Sequence, residues 1–303
     1  KVNDPFPINK NIQGGEAVLT DINGNGYLDL LVHTSNELGY FPRDGQGGWN
    51  SYTPFISYPN NYSSQYMELV DLDANGKTDM MLADLDNLQV FTSLGMEGYA
   101  GPSFIANDNN FPLAKQGYKQ EMVTFANMFG DGLPHRVRIS NGSVECWPCL
   151  GYGRFGKKVM IGNAPSFGEN FDTSRLFLAD IDGSGTTDLV YLSPDKVELF
   201  LNQSGNTFSD PVTIHLPELF ETLDKISFAD ILGNGTTCLV FTKISPSPRQ
   251  YYYNFSGEIV LPDGTHQSSL KPYLLNVINN NIRVTQIINY CSSVKFYLDD
   301  KKN

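Results

Sequence analysis

A polar loop of fixed layout recurs along this chain, each time between two apolar strands. "AVLTDINGNGYLDLLVHT" begins its loop at Asp21, "MELVDLDANGKTDMMLAD" at Asp71 and "LFLADIDGSGTTDLVYLS" at Asp180. Two altered copies complete the series, "VTFANMFGDGLPHRVRIS" from Asn127 and "ISFADILGNGTTCLVFTK" from Asp230. Successive loops start 50, 56, 53 and 50 residues apart. A unit of this size is too small to bury its own apolar faces, so neighbouring units must cover one another.

About 20 residues beyond each loop start comes a second landmark: "YFPRDGQGGW", "VFTSLGMEGY", "CWPCLGYGRF" and "LFLNQSGNTF". Each is a strand end, a Gly-bearing turn and an aromatic. Alternation such as Val144 and Cys146 against Glu145 and Trp147 marks half-buried strands. One repeat therefore holds about four short strands, and four strands repeated radially make an all-β propeller. Five repeats are visible over residues 15–262, which predicts five or six four-stranded blades. Segments 1–14 and 263–303 are candidates to supply a sixth. The domain division expected is a propeller over 1–262 and a closing or exit segment over 263–303, which leads toward a following domain. In that segment the Asn run at 279–281 reads as a turn followed by a strand. Helix is almost absent from the pattern; "LPELFETLDKI" at 216–226 is the best candidate, at one to three turns.

Lys and Arg number 21 against 33 Asp and Glu, a net charge of −12. Such a surface disfavours nucleic acid and anionic membranes, which need a cationic face. No run of 18 apolar residues occurs, so direct membrane insertion is not expected. Five Asn-x-Ser/Thr sequons, including those at Asn141 and Asn202, are read as chance in an Asn-rich chain.

The loops carry the chemistry. Numbered from one to nine, their first, third, fifth and ninth positions bear oxygen side chains, and the fourth and sixth favour Gly. Loop one offers Asp21, Asn23, Asn25 and Asp29; loop two Asp71, Asp73, Asn75 and Asp79; loop four Asp180, Asp182, Ser184 and Asp188. Two or three carboxylates packed into nine residues repel unless a cation lies among them. Alternate side chains of a tight turn converge, and a carbonyl at the seventh position (Tyr27, Lys77, Thr186) adds an oxygen. Such a set suits structural Ca²⁺. Loops two and four, with three carboxylates each, are expected to bind more tightly than loop one. The frame is not an EF-hand, because the twelfth positions are Val32, Leu82 and Tyr191 inside strands rather than a bidentate Glu. Loop three has Phe129 and His135 at ligand positions and loop five has Leu232 and Cys238, so neither is expected to hold metal.

No catalytic constellation emerges. Cys146-Trp-Pro-Cys149 lies at a strand end rather than a helix start, and no second Cys pair completes a zinc set. His33, His135, His215 and His266 stand in no nucleophile or metal motif. Trp49, Tyr99, Trp147, Tyr152 and Phe155 are expected to pack blade on blade; lining a sugar site is the alternative. The chain is not expected to be an enzyme, and its partner-binding residues are unassigned.

The loop pattern, followed by its apolar pair, resembles the VCBS/FG-GAP repeats of integrin-like propellers. "WPCLGYGRFGKK", "LADIDGSGTTDLVYL" and "KPYLLNVINNNI…YCSSVKFYLDDKK", in this order, resemble the B component of the bacterial Tc insecticidal toxins. The chain departs from that family at Cys149, where Asn is usual, and at Ile282 and Arg283, where Gly often follows the Asn run. The resemblance implies a secreted, extracellular toxin complex. In it the propeller docks on the pentameric A-component channel, and with the C component helps to enclose a toxic polypeptide until docking opens a passage. A calcium-dependent lectin or adhesin propeller that binds a glycan is the alternative function.

Overall fold

The computed structural model describes residues 17–34, 37–45, 47–59, 67–83, 87–106, 111–113, 118–216, 218–221, 223–255, 258–260, 266–268 and 271–300. Among the described residues the protein is an all-β propeller of five blades. Blade one comprises Ala17–Thr20, Asp29–His33, Leu38–Phe41 and Thr53–Pro54. Blade two comprises Met67–Val70, Asp79–Ala83, Asn87–Phe91 and Ser103–Ala106, and blade three Glu121–Ala126, His135–Ser140, Ser143–Trp147 and Val159–Met160. Blade four pairs Leu176–Ala179, Asp188–Leu192, Lys196–Phe200 and Val212–His215, with a small ribbon, Asn202–Gln203 against Thr207–Phe208, before its last strand. Blade five shows three strands among the described residues, Lys225–Ala229, Cys238–Lys243 and Arg249–Tyr253.

One register rule holds in all five blades. The residue before the loop pairs with the loop's ninth residue: Thr20 with Asp29, Val70 with Asp79, Ala126 with His135, Ala179 with Asp188, and Ala229 with Cys238. The loop is thus the closure of a hairpin, and its ninth residue is already the first of the second strand. That position fixes which side chains of the strand face each neighbour, since a one-residue slip would exchange the faces.

The chain divides into two compact units. The first contains blades one to three. The second contains blades four and five, the exit segment, and two turns of blade three at 127–131 and 141–143. Within the first unit, Ile22, Leu31, Tyr40 and Phe55 of blade one pack with Met80, Phe91 and Tyr99 of blade two. Val70, Leu72, Met81 and Val90 of blade two pack with Trp147, Cys149 and Phe155 of blade three. Within the second, Ile181, Val190, Leu192, Val197 and Leu199 of blade four pack with Leu239 and Phe241 of blade five. The central strands are buried on both faces, which is why "DLLVH" and "DLVYL" read as nearly continuous apolar runs.

Two expectations are corrected. Residues 216–226 form no helix among the described positions. Leu216 and Phe220 are drawn onto the blade four–five core, and Asp224 accepts the Glu221 N–H and an ion pair from buried Lys243. Packing and a buried charge pair override the local periodicity there. The single α-helix among the described residues is instead Ser293–Asp300 in the exit segment, after the hairpin Val277–Asn279 with Thr285–Ile287. The described exit residues make no sixth blade, and segment 1–14 lies outside the described residues.

Leu31, fully buried between two blades, should cost about 2–5 kcal/mol when cut to Ala. Leu19, 44% exposed on the preceding strand, should cost well under half of that when cut to Ala. Denaturant titration of the two variants measures both.

Candidate functional site

Each loop is first a self-closed turn. In loop one Asp21 Oδ1 accepts Gly24 N–H at 2.8 Å and Asp21 Oδ2 accepts Gly26 N–H at 2.7 Å. Asp71 receives the Asn75 and Gly76 N–H groups, Asp180 that of Gly185, and Asp230 those of Asn234 and Gly235. The third and fifth positions form further Asx-type turns: Asn23 to Asn25 N–H, Asp73 to Asn75 N–H, Asp182 to Ser184 N–H, Asn25 to Tyr27 N–H and Asn75 to Lys77 N–H. Loop three does the same with Asn127, which accepts Gly130 N–H. The fourth position turns left-handed throughout. It is Gly24, Gly130, Gly183 and Gly233 in four loops and Ala74, at φ +58°, in the other.

The ninth position is the anchor of each blade. Asp29 Oδ1 accepts Arg43 N–H, Asp79 Oδ1 accepts Ser93 N–H, His135 Nδ1 accepts Cys149 N–H and Asp188 Oδ1 accepts Asn202 N–H, at 2.7–2.9 Å and always 14 residues apart. The donor is the residue that leaves the third strand. In blades two and four the second oxygen also takes the N–H of the loop's second residue, Leu72 or Ile181. One side chain thus joins both turns of a blade. His135 fits because imidazole, like carboxylate, has an in-plane acceptor. The donor residues reach further: Asn202 Nδ2 donates to Met128 O and Thr187 O, and Cys149 Sγ lies 3.8 Å from Leu72 O. Sequence reading missed these residues. The signal was available in the constant 14-residue interval from the ninth position to the Gly-bearing turn.

Beyond these bonds the loops differ in charge. The carboxylates of Asp71, Asp73 and Asp79, and those of Asp180, Asp182 and Asp188, offer oxygens within 4.8 Å of one another. Loop one has two carboxylates, Asp21 and Asp29, beside Asn23 and Asn25. Burial raises the Asp188 carboxyl; N–H bonds from Asn202 and Ile181 oppose this, and the charges of Asp182 and Asp180 add to it, leaving it at about 7. Asp79 and Asp29 are raised in the same direction, again chiefly by burial. Asp180 Oδ1 is buried with no hydrogen-bond partner. A buried oxygen left open beside two further carboxylates fits a hard divalent cation, which takes oxygen ligands only.

The structure therefore brings the first, third and ninth positions of loops two and four together. At the seventh position Tyr27, Lys77 and Thr186 give their N–H to the fifth-position oxygen, and Thr186 Oγ1 also bonds Asn202 O. The altered loops keep the frame with one carboxylate each, Asp131 in loop three and Asp230 in loop five. His135 and Cys238 are buried, and Phe129 fills the space beside Gly205. Trp147, Phe155 and Tyr99 lie in the inter-blade cores, and Trp49 packs against the buried Ala17, Leu30 and Val32 cluster. Tyr152 alone among the five aromatics is well exposed. Cys146, Cys149 and Cys238 are buried cysteines outside any disulfide, and Cys291 is an exposed one. Asn202, a sequon residue, is buried and fully engaged.

Strand–loop–strand hairpins with this carboxylate frame recur in blades one, two and four and resemble FG-GAP-like repeats. The family model of that name matches residues 21–82 and 180–240. The loop that lacks carboxylates at its first and ninth positions, loop three, falls outside both matches. Among solved structures the chain is similar to the Tc holotoxin pore of Photorhabdus luminescens, with 30% identity and a TM-score of 0.82 over 99% of this chain and 13% of that one. It is also similar to TcdB2–TccC3 without its hypervariable C-terminal region, at 26% identity and a TM-score of 0.58 over 95% of this chain and 16% of that one. The chain thus spans a small part of the Tc proteins it matches. An Agrocybe aegerita lectin specific for non-reducing terminal N-acetylglucosamine shares the fold, at 18% identity and a TM-score of 0.58 over 85% of this chain and 66% of that one. No curated protein matches at the sequence level. No helix among the described residues is long and apolar enough to cross a membrane.

Two outcomes follow from the anchor position. His135→Leu leaves the Cys149 N–H buried without its acceptor and should cost about 1–3 kcal/mol in a denaturant titration, whereas His135→Asn recovers much of the loss. In metal-free buffer the folded Asp188 carboxyl binds its proton near pH 7 and the unfolded one near 3.8. This residue therefore adds stability as pH falls from 8 to 5. Asp188→Asn should flatten that part of the melting temperature profile.

Proposed function

We propose that this chain is the docking and gating propeller of a Tc-type toxin B component. It binds the pentameric A-component translocation channel and, with the C component, closes the shell around the toxic polypeptide until docking. The observation that carries this reading is the match of essentially the whole chain to a Tc holotoxin at 30% identity. The likeness to TcdB2–TccC3 supports the same partners. The role is non-enzymatic and belongs to a secreted, extracellular complex. A propeller suits it, because blades meet through side-chain packing alone, and such an interface can shift between two arrangements.

The cation sites are part of the proposal. Ca²⁺ is held in loop two by Asp71, Asp73, Asn75 and Asp79 and in loop four by Asp180, Asp182, Ser184 and Asp188. It is held more weakly in loop one by Asp21, Asn23, Asn25 and Asp29. Carbonyls of Tyr27, Lys77 and Thr186 complete the sets. The ion supplies charge neutralisation where burial, with the neighbouring charges of Asp182 and Asp180, drives Asp188 toward its protonated form.

Binding of the purified chain to an A-type channel pentamer, with a glycan array run in parallel, tests the function. Saturable binding to the channel with a silent array is expected; a selective sugar with a silent channel would replace this reading with the lectin one. Calcium at 100 times its dissociation constant should stabilise the chain by about 2.7 kcal/mol per site. The response, read as a melting temperature, should largely disappear in the Asp71→Asn, Asp180→Asn double variant.

A further inference from the structure

After blade five the chain returns to loops four and five. The Tyr273 phenol donates to Asp182 Oδ2 at 3.0 Å, while Asp182 Oδ1 accepts Ser184 N–H at 2.9 Å. Both oxygens of the third-position carboxylate are therefore held, one from inside the loop and one by the exit segment. The Lys271 stem lies across both loops: a Cβ at Gly183 would sit 3.0 Å from its Cγ and Cε, and one at Gly235 3.0 Å from its Cδ. Ser292 Oγ donates to Gly233 O and caps the following helix by accepting Val294 N–H. Val294 covers Gly233, where a Cβ would lie 2.5 Å from its Cγ2. Three glycines that the turns need for positive φ also form the bed on which the exit segment lies.

Tyr273 is otherwise poorly secured. It has φ +62°, a conformation that disfavours any residue with a Cβ, and its side chain is largely exposed. Little burial holds the ring in place, so the bond to Asp182 is what gives it a position. An outer donor that fixes the orientation of a metal ligand raises affinity for the metal. Linkage then requires the metal to stabilise the seating of that donor by the same factor.

We propose that Tyr273 is a positioning residue of the loop-four cation site, and that cation binding there and seating of the exit segment 271–298 form one coupled equilibrium. This rests on calcium occupying loop four, as proposed above. Loop two serves as the internal reference, because its third-position carboxylate, Asp73, takes its loop N–H from Asn75 in the same manner.

The experiment is calorimetric titration of calcium into the chain and into Tyr273→Phe, with each also carrying Asp71→Asn to silence loop two, and hydrogen exchange over 271–298 with and without calcium. Tyr273→Phe should weaken the loop-four site by about tenfold, the low end of the range for outer-shell partners because the phenol is exposed. It should leave loop two unchanged when tested without Asp71→Asn. Calcium should slow exchange across 271–298 in the parent chain and much less in Tyr273→Phe. Calcium uptake at loop four with unchanged affinity in Tyr273→Phe overturns the coupling and leaves the calcium site standing. A change in affinity without a change in exchange, or the reverse, also overturns it, since coupling is reciprocal. Absence of uptake at loop four overturns both.

Discussion

The hydrogen bond between the ninth loop residue and the backbone N–H 14 residues later organises each of the first four blades. It is buried in blades two to four and part-buried in blade one, and in three blades it is made by a carboxylate. It ties the loop before the second strand to the turn after the third, so the two ends of the strand pair cannot slide independently. Because the ninth residue also sets the hairpin register, the same side chain determines which residues face the neighbouring blade. Blade three shows what is essential: the acceptor is required and the charge is not, since His135 serves in place of Asp.

This separates scaffold from cation. First, third and fifth position oxygens already accept N–H bonds within their own turns, and loops three and five close in that way without a cluster of three carboxylates. A cation in loops two and four would be added to a finished turn. There it offsets the cost of gathering three carboxylates around a buried position, a cost visible in the upward displacement of Asp188 and Asp79. The loops are also surfaces. Lys77 extends over Gly24 and Gly95 in the first unit, and Lys271 with Tyr273 covers loop four in the second.

The repeat, the strand–loop–strand frame and the convergence of Asp71, Asp73 and Asp79 were legible because period and alternation are local properties. The anchor bonds were harder to see, since a donor backbone leaves no mark on residue type: Arg43, Ser93, Cys149 and Asn202 share no chemistry, only a spacing. The helix Ser293–Asp300 was hidden in a short "SVKFYLDD" run rich in strand-forming residues, and it forms where Ser292 caps it on loop five. Residues 216–226 misled in the opposite direction, because Lys243 and the blade core claim the side chains that a helix would have arrayed on one face. The seating of the exit segment on loops four and five involves residues about 90 positions apart in the chain, Asp182 and Tyr273, and no local pattern announces it.

At the scale of the whole chain, the likeness to a Tc holotoxin and the FG-GAP-like repeats go with two kinds of loop, those that gather two or three carboxylates and those that carry one. The two kinds differ in how many carboxylates they gather, not in how their turns close. The most direct test is a pair of crystal structures, one grown in chelator and one soaked with a lanthanide that gives an anomalous signal. The account predicts strong peaks at loops two and four, none at loops three and five, and the same 14-residue anchor bonds in both crystals. Peaks at loops three and five, or anchor bonds lost when the metal is removed, would contradict it.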